Sequence, residues 1–170
     1  MIYEIRTYMI QPGKLAEFED LFAEALPYRE KYSKLTACWH TEVGPLNQVV
    51  HMWAYDDLTH RRKIRQEANK DPHWPGDDNH LIQNMESDIL IPAEFMRPIE
   101  PGHHGTIFEM RSYTCNPGSI PQVMKHWKER IALREKHSSC LVCGHTFIGG
   151  LNKLIHIWPY EDAEERARIR

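Results

Sequence analysis

Residues 46–57 read LNQVVHMWAYDD, and residues 151–162 read LNKLIHIWPYED. Both stretches open Leu-Asn, set a histidine and a tryptophan two residues apart, and then run through tyrosine into acid. Histidine and tryptophan are costly choices for a surface strand, so their return at one spacing needs a structural cause. Sliding the chain on itself by about 105 residues aligns Tyr3–Arg65 with Phe108–Arg170 without a gap, with roughly a third of positions identical. YEIRTYMIQPG returns as FEMRSYTCNPG, LPYREKYS as IALREKHS, CWHTEVGPLN as CGHTFIGGLN, and Arg61 as Arg166. A match of this length identifies two copies of one structural unit, residues 1–100 and 101–170. The second copy stops inside a charged helical pattern with no cap, which reads as a truncated unit.

The elements of one copy follow from period and punctuation. Residues 2–9 are β-rich and stop at Gln11-Pro12-Gly13, a strand. Leu15, Phe18, Leu21, Phe22, Ala25 and Leu26 recur at helical spacing, so residues 12–32 form a helix, with Pro27 expected to kink it near its end. Residues 36–43 and 47–55 form a hairpin across Gly44-Pro45. Residues 57–70 form a second helix capped by Asp56 or Asp57. DPHWPGDDNH is a loop, residues 89–95 a fourth strand, and residues 97–105 the linker between copies. The order βαββαβ is the ferredoxin-like arrangement, an α+β fold with both helices on one sheet face. The other face is bare and requires a cover. A tandem copy is the expected cover, giving two facing sheets and a barrel of the dimeric α/β type.

Alternation along a strand then sorts side chains by face. Glu4, Arg6, Tyr8, His51, Trp53 and Tyr55 form a polar-aromatic set, repeated by Glu109, Arg111, Tyr113, His156, Trp158 and Tyr160. The apolar set of each strand is expected to meet the helices, leaving the polar-aromatic set to line the barrel, with His40 and His145 as candidates to join it. A mostly aromatic interior with a few polar groups suits a small organic ligand. His51 and His156, with Arg6 and Arg111, are the candidate catalytic groups. Tyr8, Asn47, Trp53, Tyr55, Tyr113, Trp158 and Tyr160 are the candidate ligand-binding residues. The competing expectation is that the aromatics only pack and that Arg6 and Glu4 form a structural ion pair.

Composition narrows the class. The chain has 170 residues, 41% hydrophobic and 26% charged, ordinary for a globular protein. A net charge of −3 argues against nucleic acid or an anionic membrane as partner. No apolar run approaches a membrane span, and the N-terminus reads as a strand with no leader, so a cytoplasmic protein with four free thiols is expected. The Cys140–Cys143 pair has no second pair to complete a zinc site, and His73, Asp77, Asp78 and His80 read as a solvated loop. The basic run HRRKIRQEANK reads as a solvated helix face, with an oligomer contact as alternative. The unpaired edge of the second copy points to a homo-oligomer, most simply a dimer.

YEIRTYMIQPG, LPYREKYSKL, TEVGPLNQVVHMWAYDD, DPHWP and MESDILIPAEF resemble the NIPSNAP family. The resemblance implies a dimeric α/β-barrel of the ferredoxin-like type, similar to antibiotic-biosynthesis monooxygenases, chlorite dismutases and stress-responsive barrels. It implies no agreed reaction. Animal members resemble mitochondrial proteins linked to vesicle traffic and mitophagy and carry transit peptides. The expectation here is a bacterial, cytosolic member without that role. By analogy of fold, a cofactor-independent oxygenase or isomerase would use Asn47, His51, Trp53 and Tyr55 to orient an aromatic substrate. His51 would serve as general base, and Arg6 would hold an anionic group. No cofactor is expected; haem on His51 or His156 is one alternative, and a non-catalytic scaffold is another.

Overall fold

The computed structural model describes Met1–Arg170. Its elements run β1 (Ile2–Ile10), α1 (Leu15–Arg29), β2 (Leu35–His40), β3 (Gln48–Tyr55), α2 (Leu58–Ala68), β4 (Ile82–Pro92), β5 (Ile107–Thr114), α3 (Ile120–Arg134), β6 (Val142–Ile148), β7 (Lys153–Tyr160) and α4 (Ala163–Ile169). Two compact units divide the chain, Met1–Ile89 and Leu90–Arg170. The division falls inside β4, ahead of the linker boundary read from the sequence. Residues 90–92 count with the second unit because they run beside β6, where the Ala93 N–H donates to the Cys143 carbonyl at 2.8 Å.

In the first unit the strand order is β2-β3-β1-β4, the ferredoxin-like order for a βαββαβ chain. In the second, β6-β7-β5 repeats the first three strands. The α+β class and the ferredoxin-like units expected from the repeat are the observed fold. The two hairpins share their backbone details. Gly44 and Gly149 take φ of 99° and 104°, and Asn47 and Asn152 take 57° and 58°. The Asp57 carboxylate accepts from the His60 N–H at 2.8 Å to cap α2, and Asp162 accepts from the Glu165 N–H at 2.7 Å to cap α4. Pro27 lies within the last turn of α1.

β4 begins at Ile82, seven residues before the strand expected from hydropathy. Its first half, Ile82 to Glu86, is polar and largely exposed, so the apolar signal starts only at the buried Ile89 and Leu90.

The face assignment made from hydropathy is reversed. β1 and β3 pair with Glu4 opposite Trp53 and Arg6 opposite His51. This polar-aromatic face lies under the helices. From α1, Phe18 meets Tyr8, Phe22 meets His51, and Arg29 stacks on Trp53; from α2, Arg61 bonds Glu4. The second unit does the same through Trp127 and Arg134 of α3 and Arg166 of α4. The apolar set, with Tyr3, Ile5, Val50 and Met52 all buried, forms the opposite face. The physical reason is that the inner sides of the helices are themselves aromatic and cationic, so they select the strand face that offers carboxylate, hydroxyl and π partners.

Candidate functional site

Each polar-aromatic face is organised around a carboxylate, buried in the first unit and partly buried in the second. Glu4 is wholly excluded from solvent. It accepts from Arg6 at 2.9 Å, from Arg61 at 2.6 and 2.9 Å, and from the Ser87 hydroxyl at 2.8 Å, with Arg65 at 3.8 Å. Burial alone would raise its pKa. The Arg61 hydrogen bonds and the charges of Arg65, Arg61 and Arg6 outweigh burial and hold it at about 2. Glu109 repeats the cluster with Arg111, Arg166 and Arg170, and the same contest holds it at about 2. An anion this well supplied with donors is a structural centre and does not act as a base.

Arg29 is 2% exposed despite its charge. Its guanidinium donates to the Ser33 hydroxyl at 2.8 Å and to the Tyr55 hydroxyl at 3.0 Å, and it lies 4.3 Å over the Trp53 ring. Arg134 copies all three contacts, donating to Ser138 and Tyr160 and stacking on Trp158 at 4.4 Å. Burial pulls the Arg29 pKa down, and the Tyr55 hydroxyl partly offsets that.

The central feature is the histidine–tryptophan pair. The Trp53 indole N–H donates to His51 Nδ1 at 2.7 Å, and Trp158 donates to His156 Nδ1 at 2.7 Å. An indole nitrogen is a donor only, so Nδ1 carries a lone pair and the neutral ring holds its proton on Nε2. Both Nε2 atoms are buried and have no hydrogen-bond partner. Burial, with the nearby charge of Arg6, pulls His51 down to about 3; burial, with Arg111, pulls His156 down to about 4. Both rings are therefore neutral near neutrality, and each presents a desolvated N–H. An unmade bond of this kind costs about 1–3 kcal/mol.

Each of the two histidines is also part of a cavity wall. In the first unit the cavity has a volume of about 170 Å³ and is lined by Arg6, Tyr8, Arg29, His51, Trp53, Arg65, Asn69 and Trp74, among others. In the second unit a cavity of about 530 Å³ is lined by Arg111, Tyr113, Trp127, Arg130, Arg134, His156, Trp158 and Arg170, among others. Trp127 covers both His156 and Trp158, a task that Phe22 and Trp74 divide in the first unit, where Phe22 covers His51 and Trp74 covers Trp53.

The structure thus gathers Arg6, Tyr8, His51 and Trp53 in one cavity, and Arg111, Tyr113, His156 and Trp158 in the other. Tyr55 and Tyr160 stand behind the cavities and hold Arg29 and Arg134. Asn47 is a hairpin residue in the left-handed region, outside the lining. His40 bonds Glu19 and Glu42 near the surface, and His145 lines a separate groove. No group of three or more His, Cys, Asp or Glu side chains gathers as a metal site. Sequence reasoning passed over Arg29, Arg65 and Trp74 and, in the second copy, Trp127, Arg134 and Arg170. Retention of both arginines at matched positions of the two copies was the available signal.

Comparison with known proteins follows the repeat. The NIPSNAP family matches residues 3–97 and 108–170. Human Protein NipSnap homolog 3A is 28% identical over 179 aligned residues, spanning 100% of this chain and 71% of its own length. The crystal structure of an uncharacterized NIPSNAP domain protein from Burkholderia xenovorans is 38% identical with a TM-score of 0.55, covering 57% of this chain and 99% of its own. A putative monooxygenase from Fusobacterium nucleatum, 12% identical, shares the fold alone, with a TM-score of 0.66 over 99% of this chain and 79% of its own. No helix is long and apolar enough to cross a membrane. Since both matched stretches are copies of the repeated unit, this chain belongs to the NIPSNAP family.

Proposed function

We propose that this protein binds a small organic molecule in the cavity under the helices of each copy, and that His51 and His156 orient it. The observation that carries this reading is a buried, unpartnered Nε2–H on each of two histidines that themselves line a cavity. A side chain used only for packing would not leave a desolvated donor unpaired, because apolar residues fill such a place at no comparable cost. In this reading His51 donates a hydrogen bond to a ligand oxygen. Trp53 fixes the tautomer, so polarising an oxygen suits the ring better than accepting a proton at Nε2. Arg6 and Tyr8 flank the donor, with the Arg6 Nε–H bonded to the Tyr8 hydroxyl at 2.9 Å. If turnover occurs, the geometry favours stabilising an enolate or phenolate oxygen, the step an oxygenase or isomerase of this fold would need.

Haem fits less well. An axial ligand would need a lone pair on Nε2 while Nδ1 still accepts from Trp53, and that requires a deprotonated imidazolate. A pure scaffold would leave the paired orphan donors without a purpose.

The test is a thermal-shift screen of small organic molecules against the wild type and His51→Gln. The expected result is a ligand-induced rise in melting temperature that the variant loses. The unliganded variant should stay within about 1 kcal/mol of wild type, the cost of one lost hydrogen bond. A rise that survives both His51→Gln and His156→Gln would refute the reading.

A further inference from the structure

Resting on that reading, we infer that the ligand carries an oxyanion group, a carboxylate or phosphate, held between His51 Nε2–H and Arg65 in the first copy. The inference comes from the imbalance of donors and acceptors in the cavity wall. The first cavity is lined by Arg6, Arg29 and Arg65 and by no acidic side chain. The nearest carboxylate, Glu4, is already saturated by Arg6, Arg61 and Ser87. Three guanidiniums, those of Arg6, Arg61 and Arg65, thus share a single carboxylate, and Arg29 adds a further positive charge to the cavity wall.

Two of the lining arginines are committed. Arg6 bonds Glu4 and Tyr8, and Arg29 is spent on Ser33, Tyr55 and the face of Trp53. Arg65 makes only a loose contact to Glu4 at 3.8 Å and keeps a third of its side chain exposed. It can swing toward a second anion without breaking a short bond. It lines the same cavity as His51, and the two supply N–H donors of the kind a carboxylate or phosphate oxygen requires. A cationic ligand would meet no carboxylate in the wall, and its neutral acceptors are the amides of Asn69 and Asn79 and the Tyr8 hydroxyl.

Trp53, Trp74 and Tyr8 add flat apolar walls, which suit a planar body behind the anionic head. At about 170 Å³, against about 530 Å³ in the second copy, the first cavity is the more compact of the two. The second copy repeats the surplus of charge but not the loose arginine: Arg111, Arg130, Arg134 and Arg170 line its cavity beside His156 with no acid in the wall, while Arg170 bonds Glu109 at 2.6 Å. Arg130 stands where the first copy has Ala25, so divergence between the copies has added positive charge.

The experiment uses the whole chain and reads the indole region of ¹⁵N-correlated NMR spectra, where Trp53 and Trp74 report on the first cavity and Trp127 and Trp158 on the second. The probes are benzoate, its neutral isostere benzamide, and inorganic phosphate. The expected result is that benzoate, phosphate or both move the Trp53 resonance while benzamide does not. Arg65→Gln should weaken the effect roughly tenfold, the scale of one charge-assisted hydrogen bond. Phosphate without benzoate assigns the head to phosphate esters, and the reverse assigns it to carboxylates. Equal binding of benzamide, with Arg65→Gln silent but His51→Gln disruptive, overturns the oxyanion while leaving a ligand-binding cavity. No shift with any probe overturns the oxyanion. Shifts unchanged in both variants place the anion elsewhere and overturn it as well.

Discussion

Trp53 and His51, two residues apart on one strand, are joined by a 2.7 Å hydrogen bond that runs from the indole to Nδ1, and the pair is copied by Trp158 and His156. Neighbours at this spacing share one strand face, so the larger ring reaches over to the smaller one and sets its tautomer. The two-residue spacing in the repeated motif is therefore chemical: it places a donor beside an acceptor on the same face.

Acid stability follows from those rings. His51 is held at about 3 and His156 at about 4, against about 6.5 when unfolded. Between those values the unfolded chain binds protons that the folded one does not, so stability is full above about pH 6.5 and falls as the pH drops. The slope is at most about 1.4 kcal/mol per pH unit for each histidine. Glu4 and Glu109, both held at about 2, add their loss only below the ordinary glutamate range near 4.5. Urea titrations from pH 7 to pH 5 should therefore show a decline that His51→Gln and His156→Gln remove. A flat profile in the wild type would contradict buried neutral rings.

Glu4→Gln should be among the most damaging single changes in the first unit. The charge it removes is the shared partner of Arg6 and Arg61, and the amide cannot accept from both and from Ser87 at once. Breaking a buried pair on one side costs about 3–5 kcal/mol. Glu109 retains some solvent contact, so Glu109→Gln should cost less. Denaturant midpoints of the two variants give the comparison, and equal losses would count against Glu4 as the more deeply set centre.

Arg29→Lys keeps a positive charge and should still destabilise by about 1–2 kcal/mol. A lysine cannot hold Ser33 and Tyr55 together while lying flat on Trp53. Arg134→Lys should behave alike. A neutral outcome for both would mean that charge alone matters there.

These arginines also show how far the sequence could be read. The order of elements, the hairpins and a cap at Asp56 or Asp57 were legible because strand alternation, turn residues and capping are local. The face of the sheet was not, because hydropathy gives apolar side chains to the helices and cannot register that a helix carries its own inward cations. Arg61 and Arg65 lie in a run that reads as a solvated basic face, yet both turn toward Glu4. The copies held the clue: Arg61 and Arg65 persist as Arg166 and Arg170 while Arg62 between them becomes Ala167. A surface charge has no reason to persist so selectively. Trp74 was illegible for another reason, since it comes from a loop and no periodicity marks where a loop side chain will land.

Asn47 separates backbone from chemistry. It repeats as Asn152, and on the sequence alone it is a ligand-binding candidate. The structure gives it φ of 57° at the entry to β3, where its carbonyl accepts from the Ile10 N–H at 2.8 Å. Left-handed backbone is tolerated by asparagine and glycine and costs other residues roughly 1–2 kcal/mol. Asn47→Gly should then be close to neutral, and Asn47→Ala should lose about 1 kcal/mol, because alanine keeps the Cβ strain without the short polar side chain that offsets it. Neither change should alter the affinity of a ligand that depends on His51, because the asparagine lies outside the cavity lining. Chemical denaturation gives the first comparison, and titration of any ligand found by thermal shift gives the second. If Asn47→Gly kept its stability but lost binding, the side chain would belong to the site after all, and the Leu-Asn repeat would mark recognition as well as a turn.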